Sequence, residues 1–374
     1  MKKKNKAIYL LFLMPFVYFA TACFVVWLVK TSGIYPSGSY TMYHVYRGDY
    51  VYNAIKSGNW YPLYDPAWYN GVEILRYWSP FPAYVMAFCQ YLAGGSQFGA
   101  YLFYIGGVCF LGACVWPFIG RGFNRPYLGA FIGLLWFFMP NNLCAIFIEG
   151  NLARSLSMIF LPVFIYSVYK YLYNHKLRYI PLMVFTFLLM ELCHLGYAGM
   201  VAIAVIIYGI VYMIQKGRKK AVLDVVISMI FGFMLLGIWL VASLRGGITS
   251  LDNSENMANF FQNLWITINP FERLTRGFEY FYFGFAALVV IVFGILFGYK
   301  KSRTGFVTGF IILLMTTKSA YAVLKHLPGS QYLWMLRFIS IALCMILMSF
   351  LMWDRLKKPL VLMLCVLLAV DTIP

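Results

Sequence analysis

Residues 2–30 read KKKNKAIYLLFLMPFVYFATACFVVWLVK: a lysine-rich start, then an unbroken apolar run from Ala7 to Val29. An apolar run of about 20 residues is the length a helix needs to cross a bilayer. This one also exceeds the roughly 7–15 apolar residues of a cleaved leader, so it reads as a retained first membrane helix. The same grammar repeats along the chain. Positive clusters stand at the start, Lys2–Lys6, and between apolar runs at Arg121–Arg125, Lys176–Arg178, Lys216–Lys220, Lys300–Arg303 and Arg355–Lys358. Spaced in this way they are the positive-inside signal of a multispanning protein. A nucleic-acid binder with the same net charge of +18 would gather it on one face.

Composition agrees. Hydrophobic residues form 62% of the 374-residue chain and charged residues 11%, against about 25% charged in soluble domains. The expected fold is an all-α polytopic transmembrane helix bundle of about 11 helices, N-terminus in and C-terminus out. The expected helices span about 7–29, 97–120, 127–146, 152–173, 179–194, 196–215, 221–244, 278–298, 305–322, 332–353 and 359–370. Two long outer segments follow, at 30–96 and 245–277, the first containing juxtamembrane amphipathic helices and the second forming an interfacial lid. Residues 1–374 read as a single transmembrane domain, and the stop shortly after the last helix suggests an outer domain beyond residue 374. The eight cysteines show no CxxC pair or metal-ligand spacing and read as apolar core residues.

The first outer segment is where the chemistry concentrates. Ser39 can cap a helix from about Thr41 to Lys56 that ends at Ser57-Gly58. Helical spacing then puts Tyr40, His44 and Arg47 on one face and Asp49 and Asn53 on another. Unless Gly48 breaks the helix, His44 and Asp49 cannot enter one cavity. The aromatic stretch from Trp60 to Phe81, with Trp68, Tyr69 and Trp78, reads either as an interfacial belt or as a site that stacks on sugar faces. Turn residues such as Asp65-Pro66 and Asn70-Gly71 imply an ordered loop. Further along, Glu149-Gly-Asn-Leu-Ala-Arg154 crosses the outer boundary between the helices expected at 127–146 and 152–173, where Glu149 and Arg154 either pair or form a second cavity wall in which Arg154 holds a phosphate. Arg337, inside an expected helix, needs a cavity or a partner. Glu191 and His194 form a polar step at a helix end.

The pattern HxxRxDxxxxxIxxGNWYPLYDPxWYNGxxxxRYWxPxP over 44–82, followed by EGNxxR over 149–154, resembles a bacterial membrane family named "6-pyruvoyl-tetrahydropterin synthase-related". Despite the name, the zinc-binding histidines of the pterin enzyme are missing from the pattern, so neither pterin nor a zinc site is implied. The family is similar to GT-C glycosyltransferases, which use polyprenyl-phosphate sugars at the outer membrane face. The resemblance implies a multi-pass protein of the bacterial cytoplasmic membrane that moves a sugar from such a donor to a cell-envelope acceptor. It implies Asp49 and His44 as catalytic candidates. Arg47, Asp65, Trp68, Tyr69, Arg76, Glu149, Asn151, Arg154, His194 and Arg337 are the substrate-binding candidates, with a divalent metal as the candidate cofactor. The family commonly carries an acidic residue four positions before the histidine; here Tyr40 stands there. The competing readings are a transporter or flippase of a lipid-linked substrate, which should show paired repeats that are not visible here, and a non-catalytic membrane scaffold.

Overall fold

The computed structural model describes residues 2–36, 38–68, 71–76, 78–245, 267–269, 271, 282–326, 334–353 and 355–372, the side chains of 2–10, 318 and 321 excepted. Among the described residues there is no strand, only one isolated bridge between Asp65 and Val72. The helices are α1 (Lys2–Ser32), α2 (Thr41–Lys56), α3 (Phe81–Leu92), α4 (Gln97–Gly122), α5 (Pro126–Leu135), α6 (Pro140–Leu143) and α7 (Leu152–Asn174). After these come α8 (Tyr179–Lys216), α9 (Lys219–Leu235), α10 (Gly237–Arg245), α11 (Phe285–Phe297), α12 (Lys300–Met315), α13 (Lys318–Leu324), α14 (Phe338–Met352) and α15 (Lys358–Thr372). Among the described residues five helices are long and apolar enough to cross a membrane, or up to seven if each of two bent pairs is one span.

Three expected helices are not single rods. The one expected at 127–146 bends by 47° at Met139. Proline explains it: Pro140 has no N–H to continue the ladder. The carbonyl of Trp136, which that N–H would have met, accepts instead from Asn142 Nδ2 at 2.6 Å. The chain then widens into a π-turn, Cys144–Ile148. The helix expected at 221–244 breaks by 64° between α9 and α10. There the 73–76 turn grips the second piece: Trp239 Nε1 donates to Leu75 O (2.8 Å), Arg76 Nε donates to Ala242 O (2.9 Å), and Ser243 Oγ donates to Arg76 O. The helix expected at 305–322 begins earlier, at Lys300, and divides into α12 and α13. The helix expected from 278 is described from Phe285, and most of the loop at 245–277 lies outside the described residues.

α8 contains a reversal. Tyr179 at its start stacks edge-on against Tyr166 in the second half of α7, with centroids 6.0 Å apart. Tyr212 near its end donates to Leu172 O, also at the end of α7, at 2.6 Å. His194, midway, has non-helical dihedrals and lies 3.5 Å from Asn151 at the start of α7. The chain therefore turns back at His194, with arms of 179–193 and 195–216.

The basic clusters gather at one end of the bundle. Lys170 bonds to Gly122 O, Arg218 meets His175, Tyr173 OH donates to Lys301 O, and Arg355 lies over the ring of Tyr299. α7 and α14 form the interior, with 83% and 94% of their apolar windows buried, whereas α1 is peripheral at 22%. Because lipid tails are as apolar as leucine, helices in a membrane associate largely by close packing of small residues. α4 and α5 meet in this way. A Cβ on Gly120 would stand 2.7 Å from Gly129 Cα.

Candidate functional site

At the end of the bundle opposite the basic clusters lies a cavity of about 500 Å³. Its walls come from α2 (Tyr40, Tyr43, His44, Arg47), the segment before α3 (Trp78, Ser79), the start of α7 (Asn151, Ala153), the α8 turn (Cys193 to Gly196), α10 (Trp239), and Trp334 with Arg337. α2 is held there by its entry strand. Ser39 N donates to Ile148 O (3.3 Å) and Tyr40 N to Glu149 O (3.1 Å), docking the helix start onto the π-turn. Tyr40 rather than Ser39 occupies the cap position, and no side chain caps the helix. Ser39 spends its backbone on the π-turn instead.

α2 is continuous through Gly48, where the side chain of Met86 packs so closely that a Cβ would be 2.2 Å from its Cγ. The helix wheel is therefore kept. Tyr40, His44 and Arg47 face the cavity. Asp49 faces away: its Oδ1 accepts from Gln90 Nε2 at 2.6 Å and its Oδ2 from Asn53 Nδ2 at 3.1 Å. Of the two catalytic candidates, only His44 lines the cavity.

Arg47 is 4% exposed and held by rings. Its guanidinium carbon lies 5.0 Å from the centroids of both Tyr43 and Trp78. Nη2 reaches Ile74 O at 3.5 Å, and Nε finds no hydrogen-bond partner among the described residues. Burial lowers its affinity for the proton to a pKa of about 10. Burial, together with Arg47 and His194, keeps His44 well below the ordinary histidine range, so it is neutral at pH 7.

Glu149 collects the other cations. Arg154 Nη2 donates to Oε2, while Arg337 Nε (2.7 Å) and Asn151 Nδ2 (3.3 Å) donate to Oε1. Burial opposes the charged carboxylate, yet Arg154 and Arg337 hold it below its usual range. Arg154 is fully buried, and its Nε and Nη1 find no partner among the described residues. Of the two readings of the EGNLAR segment the structure has the pairing: Glu149 and Arg154 bond to each other and neither lines the cavity, whose wall here is Asn151 and Ala153.

The remaining candidates lie elsewhere. Asp65 is buried at the loop bridge, accepting from Tyr46 OH (2.6 Å) and Ala67 N (3.0 Å). Trp68 packs edge-on against Tyr43, with centroids 4.8 Å apart, one ring behind the cavity wall. Arg76 pairs with Glu73 and clamps α10. Tyr69 lies outside the described residues. Sequence reasoning missed Tyr43, Ser79, Trp239 and Trp334 as walls. Tyr43 was within reach, since it lies three residues after Tyr40 on the same helix; the others converge from distant segments.

Glu149 answers both Arg154 and Arg337, and Arg47 has no carboxylate partner among the described residues, which leaves a surplus of positive charge here. Among the described residues no three His, Cys, Asp or Glu side chains gather as metal ligands. The cavity's groups are cationic or neutral, a set that suits an anion and does not fit a divalent cation, which takes oxygen ligands. Over residues 75–374 the chain matches the family model of the 6-pyruvoyl-tetrahydropterin synthase related domain, a membrane protein. No curated protein and no solved structure matches it.

Proposed function

The chain belongs to the 6-pyruvoyl-tetrahydropterin synthase related family of membrane proteins, and from that premise we propose that its cavity receives the phosphate end of a polyprenyl-phosphate-linked sugar. The carrying observation is the cation surplus: Arg47, Arg154 and Arg337 are each under 10% exposed, Glu149 answers Arg154 and Arg337, and Arg47 has no carboxylate against it among the described residues. Arginine suits phosphate through paired N–H donors. The gathering of basic clusters at the opposite end supports a cytoplasmic location for that end, with the N-terminus inside, about eleven crossings, and the cavity outside. The membrane in this reading is the bacterial cytoplasmic membrane.

The chemistry proposed is sugar transfer to a cell-envelope hydroxyl. The bond from the anomeric carbon to the phosphate oxygen breaks, and a bond to the acceptor oxygen forms. The acceptor proton passes to the neutral imidazole of His44, and the leaving polyprenyl phosphate stays on Arg47 and Arg337. Positioned cations stabilise the charge that develops on the leaving group, and the growing negative charge nearby raises the affinity of His44 for the proton. His44 takes the role in preference to Asp49 because Asp49 is bonded to Gln90 on the other face of α2.

The test is turnover of polyprenyl-phosphate sugar by purified protein in nanodiscs. His44→Gln should lower turnover by about 100-fold or more, the usual size of a general-base contribution, with donor binding retained. Asp49→Asn should turn over near the wild-type rate. Loss of turnover in Asp49→Asn with binding intact would return the role to Asp49. A second reading, a scaffold or a flippase for the same lipid, is favoured by one observation: Glu149, the carboxylate beside the cavity, is already engaged by two arginines. Donor binding without turnover for any acceptor would select it.

A further inference from the structure

The reversal at His194 decides where its ring carries hydrogen. The dihedrals of His194 (φ −156°, ψ 93°) place it just ahead of the second arm of α8. The first N–H groups of a helix have no acceptor within it. Two groups from outside the helix ladder serve them here. Leu195 N donates to Ser79 Oγ at 3.3 Å, and Tyr197 N, three residues past the turn, donates to His194 Nδ1 at 3.1 Å. His194 thus does what serine or asparagine commonly does at a helix start. A ring nitrogen that accepts a hydrogen bond carries no hydrogen, so the neutral ring holds its proton on Nε2.

His194 lines the cavity, and its Nε2 lies 3.5 Å from Nδ2 of Asn151, another wall residue. The amide of Asn151 is fixed in the same manner. Its Oδ1 accepts from Arg154 N at 3.0 Å, and its Nδ2 donates to Glu149 Oε1. The two nitrogens facing each other are therefore both donors and do not bond to one another. Beside them stand the Arg337 guanidinium and Arg47, 96% buried by its 4% exposure, with a free Nε. Of these donors the Nε2–H of His194 and Nε of Arg47 find no acceptor among the described residues.

We propose that His194 is a fixed Nε2–H donor to an oxygen of a phosphate monoester bound in this cavity, with Arg47 and Arg337 supplying the charge. The proposal rests on the phosphate reading above and deepens it. His194 is a binding residue that cannot serve as the base while its Nδ1 caps the helix, which leaves proton acceptance to His44.

The experiment has two arms. Nitrogen NMR of histidine-labelled protein in nanodiscs reads the tautomer without any ligand; the Nε2–H form is expected, and the Nδ1–H form overturns the proposal. The binding arm titrates farnesyl phosphate, inorganic phosphate and farnesol into wild type, His194→Gln and His194→Asn. A glutamine amide reaches the Nε2 position and keeps a donor there. An asparagine amide reaches only the Nδ1 position and keeps the cap, so the fold is preserved. His194→Gln should bind farnesyl phosphate within about threefold of wild type, and His194→Asn about tenfold or more weakly, the loss of one hydrogen bond to a charged group. Equal affinity in His194→Asn and wild type overturns the donor role while leaving the phosphate site standing. If wild type binds neither phosphate, the reading of the cavity falls and the proposal with it. Discrimination between the two phosphates identifies the source: binding of both supports a site for free phosphate, and binding of farnesyl phosphate alone supports one for a lipid headgroup.

Discussion

The two polar ends of this bundle carry charge in opposite ways. At one end, lysines and arginines at 170, 218, 301 and 355 lean on a carbonyl and on rings. At the other, Arg154 and Arg337 are buried around one carboxylate, and Arg47 is buried between two rings. Exposed cations are cheap to keep and sort the protein across the membrane. Buried cations cost several kcal/mol each unless something answers them. On the reading proposed above, the first end orients the molecule and the second binds an anion.

The comparison is broken most forcefully at Glu149. Glu149→Gln removes the counter-charge from two arginines and should lower stability by about 3–5 kcal/mol, as breaking a buried pair does. Lys219→Ala, in the basic end, should stay within about 0.5 kcal/mol, as surface changes do. Denaturant melts in detergent compare the two; similar losses would remove the distinction between the ends. Gly150 and Gly217 sharpen it by a smaller effect. Both have positive φ (+62° and +67°), but a Cβ on Gly150 would stand 2.2 Å from Thr41 Oγ1, whereas one on Gly217 meets nothing within 4 Å. Gly217→Ala should cost about 1 kcal/mol of backbone strain, and Gly150→Ala that strain plus displacement of α2, about 2–3 kcal/mol in all. Phosphate binding should weaken only in Gly150→Ala.

Acidification gives the smallest effect. His44 has its proton affinity lowered in the folded protein, so between its folded value and the ordinary value of about 6.5 the unfolded chain binds the extra proton. Stability from this group is present above about pH 6.5 and is lost as pH falls below it. Melting temperature between pH 7 and 5 should therefore fall less in His44→Gln than in wild type; parallel profiles would contradict a buried neutral His44.

Much of the layout is legible in the chain because a membrane protein writes it in two letters, apolar length and basic punctuation. The α2 face was readable as well: 100° per residue sets His44 and Arg47 together and turns Asp49 away, and the continuous helix through Gly48 preserves that. The Glu149–Arg154 pairing followed from the difficulty of leaving either charge alone. The bend at Met139 was signalled by Pro140 but outweighed by the apolar run on both sides of it. The break at Leu236 was hidden, because the grip on α10 comes from residues 75 and 76, some 160 positions away. Trp239 and Trp334 reach the cavity only through such long-range folding, which no local pattern records.

The most direct measurement is a farnesyl phosphate titration of nanodisc-embedded wild type, Arg47→Ala and Lys219→Ala, with farnesol as the uncharged control. The account predicts saturable binding of farnesyl phosphate and not farnesol, weakened at least tenfold in Arg47→Ala and unchanged in Lys219→Ala. Equal binding of farnesol, or equal affinity in Arg47→Ala and wild type, would contradict it.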